Sequence, residues 1–134
     1  MEMLITFPGG QQVAAQFGGM KVLTDQPPES GGEGSAPTPF ALFLASLGTC
    51  AGVYVLSFCQ HRGIPTAGIS LHQQAEFVST EDGKRRLVRV RIEIIVPPEF
   101  PEKYHSALVK SAELCAVKKA ILEPPEFSIS TRVS

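Results

Sequence analysis

From Gly34 to His61 the chain carries no Asp, Glu, Lys or Arg, and between Phe40 and Cys59 the polar residues are Ser46, Thr49 and Ser57. As a helix that stretch is about 30 Å long, enough to cross a bilayer's hydrocarbon core. Gly48-x-x-x-Gly52 even matches a transmembrane packing motif. The flanks argue otherwise. They hold no aromatic belt and no clear basic bias, and the rest of the chain reads as amphipathic elements that need something apolar to cover. A helix apolar all round belongs between two layers or two subunits. The expectation is a core helix from Phe40 to about Arg62, no membrane span, and glycines that admit another helix. Thr38-Pro39 supplies its N-cap and first turn, and Gly63-Ile64-Pro65 ends it.

Around this helix the sequence predicts short strands. Met3–Phe7, Gln12–Phe17 and Met20–Thr24 are separated by Pro8-Gly9-Gly10 and Gly18-Gly19, a β-meander. Residues 26–39 are rich in Gly, Pro, Ser and Glu, and read as a flexible connection or lid. GGEGSAPTP lacks the GK[ST] ending of a P-loop and the spacing of a dinucleotide fingerprint, so no cofactor is implied. Ile69–Ser79 and Arg86–Val96 flank Asp82-Gly83, a hairpin signal, and charges alternate with Val and Ile in VRVRIEIIV. Pro101–Leu122 reads as a second helix, bent near Cys115, and Phe127–Val133 as a last strand. The order is βββ-α-ββ-α-β, an α+β pattern in a single domain, 1–134.

Charge narrows the partners. Twelve Lys and Arg against thirteen Asp and Glu leave a net −1, which gives no footprint for nucleic acid or an anionic membrane. The cluster Lys84-Arg85-Arg86 with Arg89 and Arg91 reads as a solvated sheet face. MEMLITFPGG has no signal-length apolar core, so a cytoplasmic location is expected. Three cysteines, without a CxxC and with His61, His72 and His105 scattered, suggest neither a disulfide framework nor a metal site.

The cysteines differ by position. At about 100° per residue Cys59 falls within about 20° of Gly48 on the glycine face, while Cys50 points about 200° away. The two thiols are about 13.5 Å apart along the axis and cannot form a disulfide. Cys59 reads as a small buried hydrophobe. Cys50 has Phe43, Leu47 and Tyr54 at helical spacing, a mostly apolar pocket. Cys115 ends the apolar face Tyr104–Leu108–Ala112 of the second helix, with Lys118 and Lys119 one turn beyond. Nearby ammonium groups favour a thiolate; the alternatives are that the lysines complement a helix C-terminus and that both thiols are ordinary core residues.

GGEGSAPTPFALFLASLGTC followed by AGVYVLSFCQHRGIP resembles the first helix of the OsmC/Ohr superfamily. A Gly-rich loop leads to a proline, here Pro39, with a cysteine eleven residues later, here Cys50. A second family cysteine, in a Cys-Pro-Val-like context, is matched by Cys115-Ala116-Val117. The resemblance implies an intertwined homodimer with two long central helices flanked by antiparallel sheets. It also implies reduction of organic hydroperoxides: Cys50 as the peroxidatic thiol, Cys115 as the resolving thiol and an external dithiol as reductant. The pocket residues would be Phe40, Phe43, Leu47 and Tyr54.

Peroxidatic members carry a Glu one or two residues after the proline, paired with an N-terminal Arg that stabilises the thiolate. Phe40 and Ala41 stand there in this chain, and no Arg precedes Arg62. Without that guanidinium an apolar pocket is expected to raise the Cys50 pKa, unless Lys118, Lys119 or a partner-subunit arginine substitutes. The alternative function is a catalytically weak or inactive dimer that binds a hydrophobic small molecule.

Overall fold

Each turn signal near the N-terminus closes a hairpin in the computed structural model, which describes residues 1–134. The chain divides into two compact units, 1–45 and 46–134, described separately below.

In the first unit β1 (Leu4–Gly9), β2 (Gln12–Phe17) and β3 (Met20–Thr24) form an antiparallel sheet in chain order. The second and third strands fall where the sequence places them. β1 runs on past Phe7, and its pairing turns irregular between Thr6 and Gly9, around Pro8, which has no N–H to give the ladder. The Gly-rich connection is tied down rather than loose. Asp25 is 2 % exposed, and its carboxylate accepts from the Gln26 N–H (2.7 Å), the Glu33 N–H (3.3 Å), the Ser35 N–H (3.0 Å) and the Ser35 hydroxyl (2.5 Å). These donors, the Ser35 hydroxyl first, hold its pKa below the ordinary carboxylate range against the opposing effect of burial. Gly32 is required in this loop because a Cβ there would collide with the Gln26 carbonyl.

α1 (Pro39–His61) begins at the expected proline. Thr38 Oγ1 accepts from the Ala41 N–H at 3.1 Å, the bond of an N-cap. At the other end the Ile64 N–H reaches back to the Cys59 carbonyl at 2.9 Å across Gly63, whose φ of +63° is a left-handed conformation that glycine adopts without strain.

In the second unit α1 buries one stripe, Leu47, Ala51, Val55, Phe58 and Cys59, while Val53 and Leu56 stay exposed. The stripe recurs at three and four residues, as a helix packed on one side must. Against it stands the hairpin of β4 (Ser70–Ser79) and β5 (Arg85–Ile95), with Ile69, Leu71, Ile94 and Val96 packed on the core of Val55, Phe58, Cys59, Phe100 and Leu108. The opposite face is polar: Arg89 and Arg91 both meet the Glu76 carboxylate at 3.4 Å. The basic cluster is therefore the solvated sheet face expected of it. Within the chain Gly48 makes room for a strand residue: a Cβ there would lie 2.6 Å from Gln73 Oε1, whereas Gly52 has nothing within 4 Å.

Two further expectations fail toward the C-terminus. The helix predicted over Pro101–Leu122 is broken: a 3₁₀ turn (Glu102–Tyr104) leads into α2 (His105–Ala112), and a separate α3 spans Ala116–Leu122. Cys115, with φ −47° and ψ 120°, is extended and caps α3. Lys118 and Lys119 therefore lie in the first turns of a new helix, not beyond the end of an old one. The strand predicted over Phe127–Val133 does not form, and Phe127, Ile129 and Val133 stand exposed. Alternation marks a two-faced segment, but it does not supply a strand edge to pair with.

Candidate functional site

The break between α2 and α3 turns Cys115 toward α1. Its side chain is buried, its S–H lies 3.9 Å from the Leu47 carbonyl, and its sulfur accepts from the Lys118 N–H at 3.5 Å. Cys50 is half-buried, one turn along α1 from Leu47, whose carbonyl the Cys115 thiol approaches. All three cysteines are free thiols. The two that the sequence singles out are thus neighbours, and Cys59 is remote from them on the same helix.

Cys50 titrates below the ordinary thiol range, contrary to the rise expected from a missing guanidinium. The largest cause is the Val117 N–H; desolvation opposes it, and the Cys115 thiol and the Ala116 N–H add to the lowering. These groups stabilise the negative sulfur as donors to the charged form. The ammonium groups of Lys118 and Lys119 are not among the causes. Burial pushes Cys59 the other way, with Arg62 opposing. His61, next but one to Cys59, is engaged at Nδ1 by the Ser57 carbonyl at 2.7 Å.

Two cavities lie on this side of the molecule; the smaller is lined by Cys115, the larger by neither thiol, and Cys50 lines neither. One, of about 250 Å³, is walled by Leu47, Ala51, Val90, Ile92 and Ile121, with Cys115 and Lys118 also at its surface. The other, about 770 Å³, is an open cleft between Ala51, Val109 and Ala112 of the helices and His72, Arg91 and Glu93 of the hairpin. Of the expected pocket residues, Leu47 lines the smaller cavity. Tyr54 lines neither; its carbonyl accepts from the Ser111 hydroxyl at 3.4 Å. Phe40 and Phe43 pack on each other, centroids 5.4 Å apart, in the first turns of α1.

The sequence does not announce the Ala116 and Val117 amides, because peptide groups carry no residue signature. Asp25 also escapes it. An acid beside a Gly- and Ser-rich loop is the composition of an anchored turn, and that was the available signal.

Residues 32–130 match the family model for OsmC-like protein. Among proteins of curated function none matches the chain. Several solved structures are similar. One is a Psychrobacter arcticus protein assigned to osmotic stress induction and detoxification response (23 % identity, 88 % of this chain and 85 % of that one, TM-score 0.73). Another is an organic hydroperoxide resistance protein OsmC from Legionella pneumophila (25 % identity, 90 % and 89 %, TM-score 0.60). A third, an organic hydroperoxide resistance protein from Elizabethkingia anophelis, is 18 % identical over 90 % and 87 % with a TM-score of 0.59.

Proposed function

The chain belongs to the OsmC-like protein family, and we propose that it is a thiol peroxidase that reduces organic hydroperoxides through Cys50 and Cys115. The observation that carries this reading is the placement of two free thiols: Cys115 lies 3.9 Å from the Leu47 carbonyl, one turn of α1 from Cys50, and Cys115 is among the groups that lower the Cys50 pKa. Two of the similar structures are organic hydroperoxide resistance proteins.

The Cys50 thiolate attacks the distal peroxide oxygen of ROOH. The O–O bond breaks, its electrons leave with the alkoxide, which takes a proton to become ROH, and sulfur is oxidised to the sulfenic acid. The Cys115 sulfur then displaces hydroxide from the sulfenic acid. The thiol proton and that hydroxide leave as water, and the S–S bond forms. An external dithiol restores both thiols by exchange and is itself oxidised to a disulfide. The apolar walls of the smaller cavity suit the organic part of ROOH.

We assign the acting form as a homodimer. Val53 and Leu56 on α1, Val109 on α2 and Ile121 on α3 are 43–60 % exposed, and large apolar side chains on helices are the usual material of a permanent interface.

The same apolar cavity supports a second reading, a dimer that binds a hydrophobic small molecule without turnover. Mass spectrometry separates the two. Reduced protein given one equivalent of an organic hydroperoxide is expected to lose about 2 Da, mapped to a Cys50–Cys115 bridge and reversed by dithiol. Unreacted thiols at that dose overturn the peroxidase reading.

A further inference from the structure

The charged side chains at the smaller cavity are of one sign. Between apolar walls that include Leu47, Ala51, Val90 and Ile92 it carries Arg89 and Lys118, and no Asp or Glu. The strand pairing explains how an arginine of the wet face reaches it. Glu76 stands opposite Arg89 and Phe77 opposite Leu87, so Val88 is left over as a bulge. A bulge re-aims the side chains around it, and here the consecutive residues Val88, Arg89 and Val90 all line the cavity. Arg89 has a counter-ion in the Glu76 carboxylate at 3.4 Å, but Arg91 meets that same carboxylate at 3.4 Å. One negative charge is thus shared by two guanidinium groups. Lys118 takes part in no ion pair. The larger cleft differs: there the cations Arg91 and Lys118 are matched by Glu93 and Glu113.

We propose that the smaller cavity binds a short apolar chain ending in a carboxylate, with the chain against Leu47, Ala51, Val90 and Ile92 and the carboxylate held by Lys118 and Arg89. Charge-assisted hydrogen bonds are roughly twice as strong as neutral ones, and an ammonium and a guanidinium can each take one carboxylate oxygen. A neutral ligand of the same shape leaves both cations without an anion. The volume of about 250 Å³ is below the usual range of ligand pockets, roughly 300–1,000 Å³, so the chain is short. The cavity is the one that both functional readings use; a ligand class for it rests on its being the ligand site and not on turnover.

Calorimetric titration of the reduced protein with octanoate and with octan-1-ol separates charge from chain. Octanoate is expected to bind about tenfold more tightly. Lys118→Gln is expected to weaken octanoate by about tenfold and to leave octanol where it was. Lys119→Gln removes the neighbouring cation, which lines neither cavity, and is expected to change neither affinity. Equal binding of the two probes overturns the proposal, as does binding of neither. So does an equal loss of octanoate in the two lysine variants, which would mean surface charge in general, or a loss of octanol in Lys118→Gln, which would mean a structural role. If Lys118→Gln does not fold, Arg89→Gln removes the other cation, and the same contrast between the probes decides. Disulfide formation with a neutral hydroperoxide, which makes no use of the two cations, reports on the peroxidase reading separately.

Discussion

Cys50 and Cys59 lie on one apolar helix, yet their thiols are pushed in opposite directions. Cys59 is fully buried; desolvation raises its pKa, and the neighbouring Arg62 only partly offsets this. Cys50 also suffers desolvation, but hydrogen bonds from Val117, Cys115 and Ala116 outweigh it. The contrast teaches that neither a shared helix nor an apolar surrounding decides a thiol's reactivity. Donors aimed at the sulfur decide it, and they come from a segment more than sixty residues away in the chain.

The largest expected effect that tests this contrast is on turnover. Cys50→Ser is expected to cut hydroperoxide consumption by about a hundredfold or more, while Cys59→Ser leaves it near the wild-type rate in a peroxide-consumption assay. Equal losses in the two variants would dissolve the distinction. Next comes pH. The rate of Cys50 alkylation in folded protein should follow the thiolate fraction, with a midpoint below the unfolded-state value of about 8.5. Because the folded pKa is the lower one, ionisation of Cys50 adds to stability above the unfolded pKa, and that contribution is lost as pH falls through the folded value. Cys59 should resist alkylation until the protein unfolds.

Smaller effects sharpen the Cys59 side. Cys59→Ser puts a hydroxyl in an apolar core and is expected to cost about 2 kcal/mol by denaturant unfolding. Arg62 lies 3.6 Å over the Phe58 ring and donates to the Phe58 carbonyl at 3.2 Å. Arg62→Met should lower stability by about 1 kcal/mol and leave the Cys50 midpoint unmoved.

Much of this was legible in the sequence. The hairpins, the N-cap at Thr38, the helix end at Gly63 and the wet face of β5 follow from local rules: turn chemistry, capping and the two-residue strand period. So did the burial of Cys59 and the partial exposure of Cys50, which is a matter of helical angle. The break before α3 was not legible. From Lys110 to Leu122 there is no Gly or Pro, nothing that forbids a continuous helix. The cap at Cys115 and its contact with the Leu47 carbonyl exist only once α1 is packed alongside. Nor could the alternating residues of Phe127–Val133 name a strand partner.

By itself, then, the sequence determined where elements start and stop and which stripe of each turns inward, because those depend on neighbours a few residues away. The tertiary structure alone decided which peptide groups face Cys50, and hence the direction of its pKa. Hydrogen bonds act only over about 3 Å, and the separation of Cys50 from Ala116 and Val117 in sequence says nothing about their distance in space.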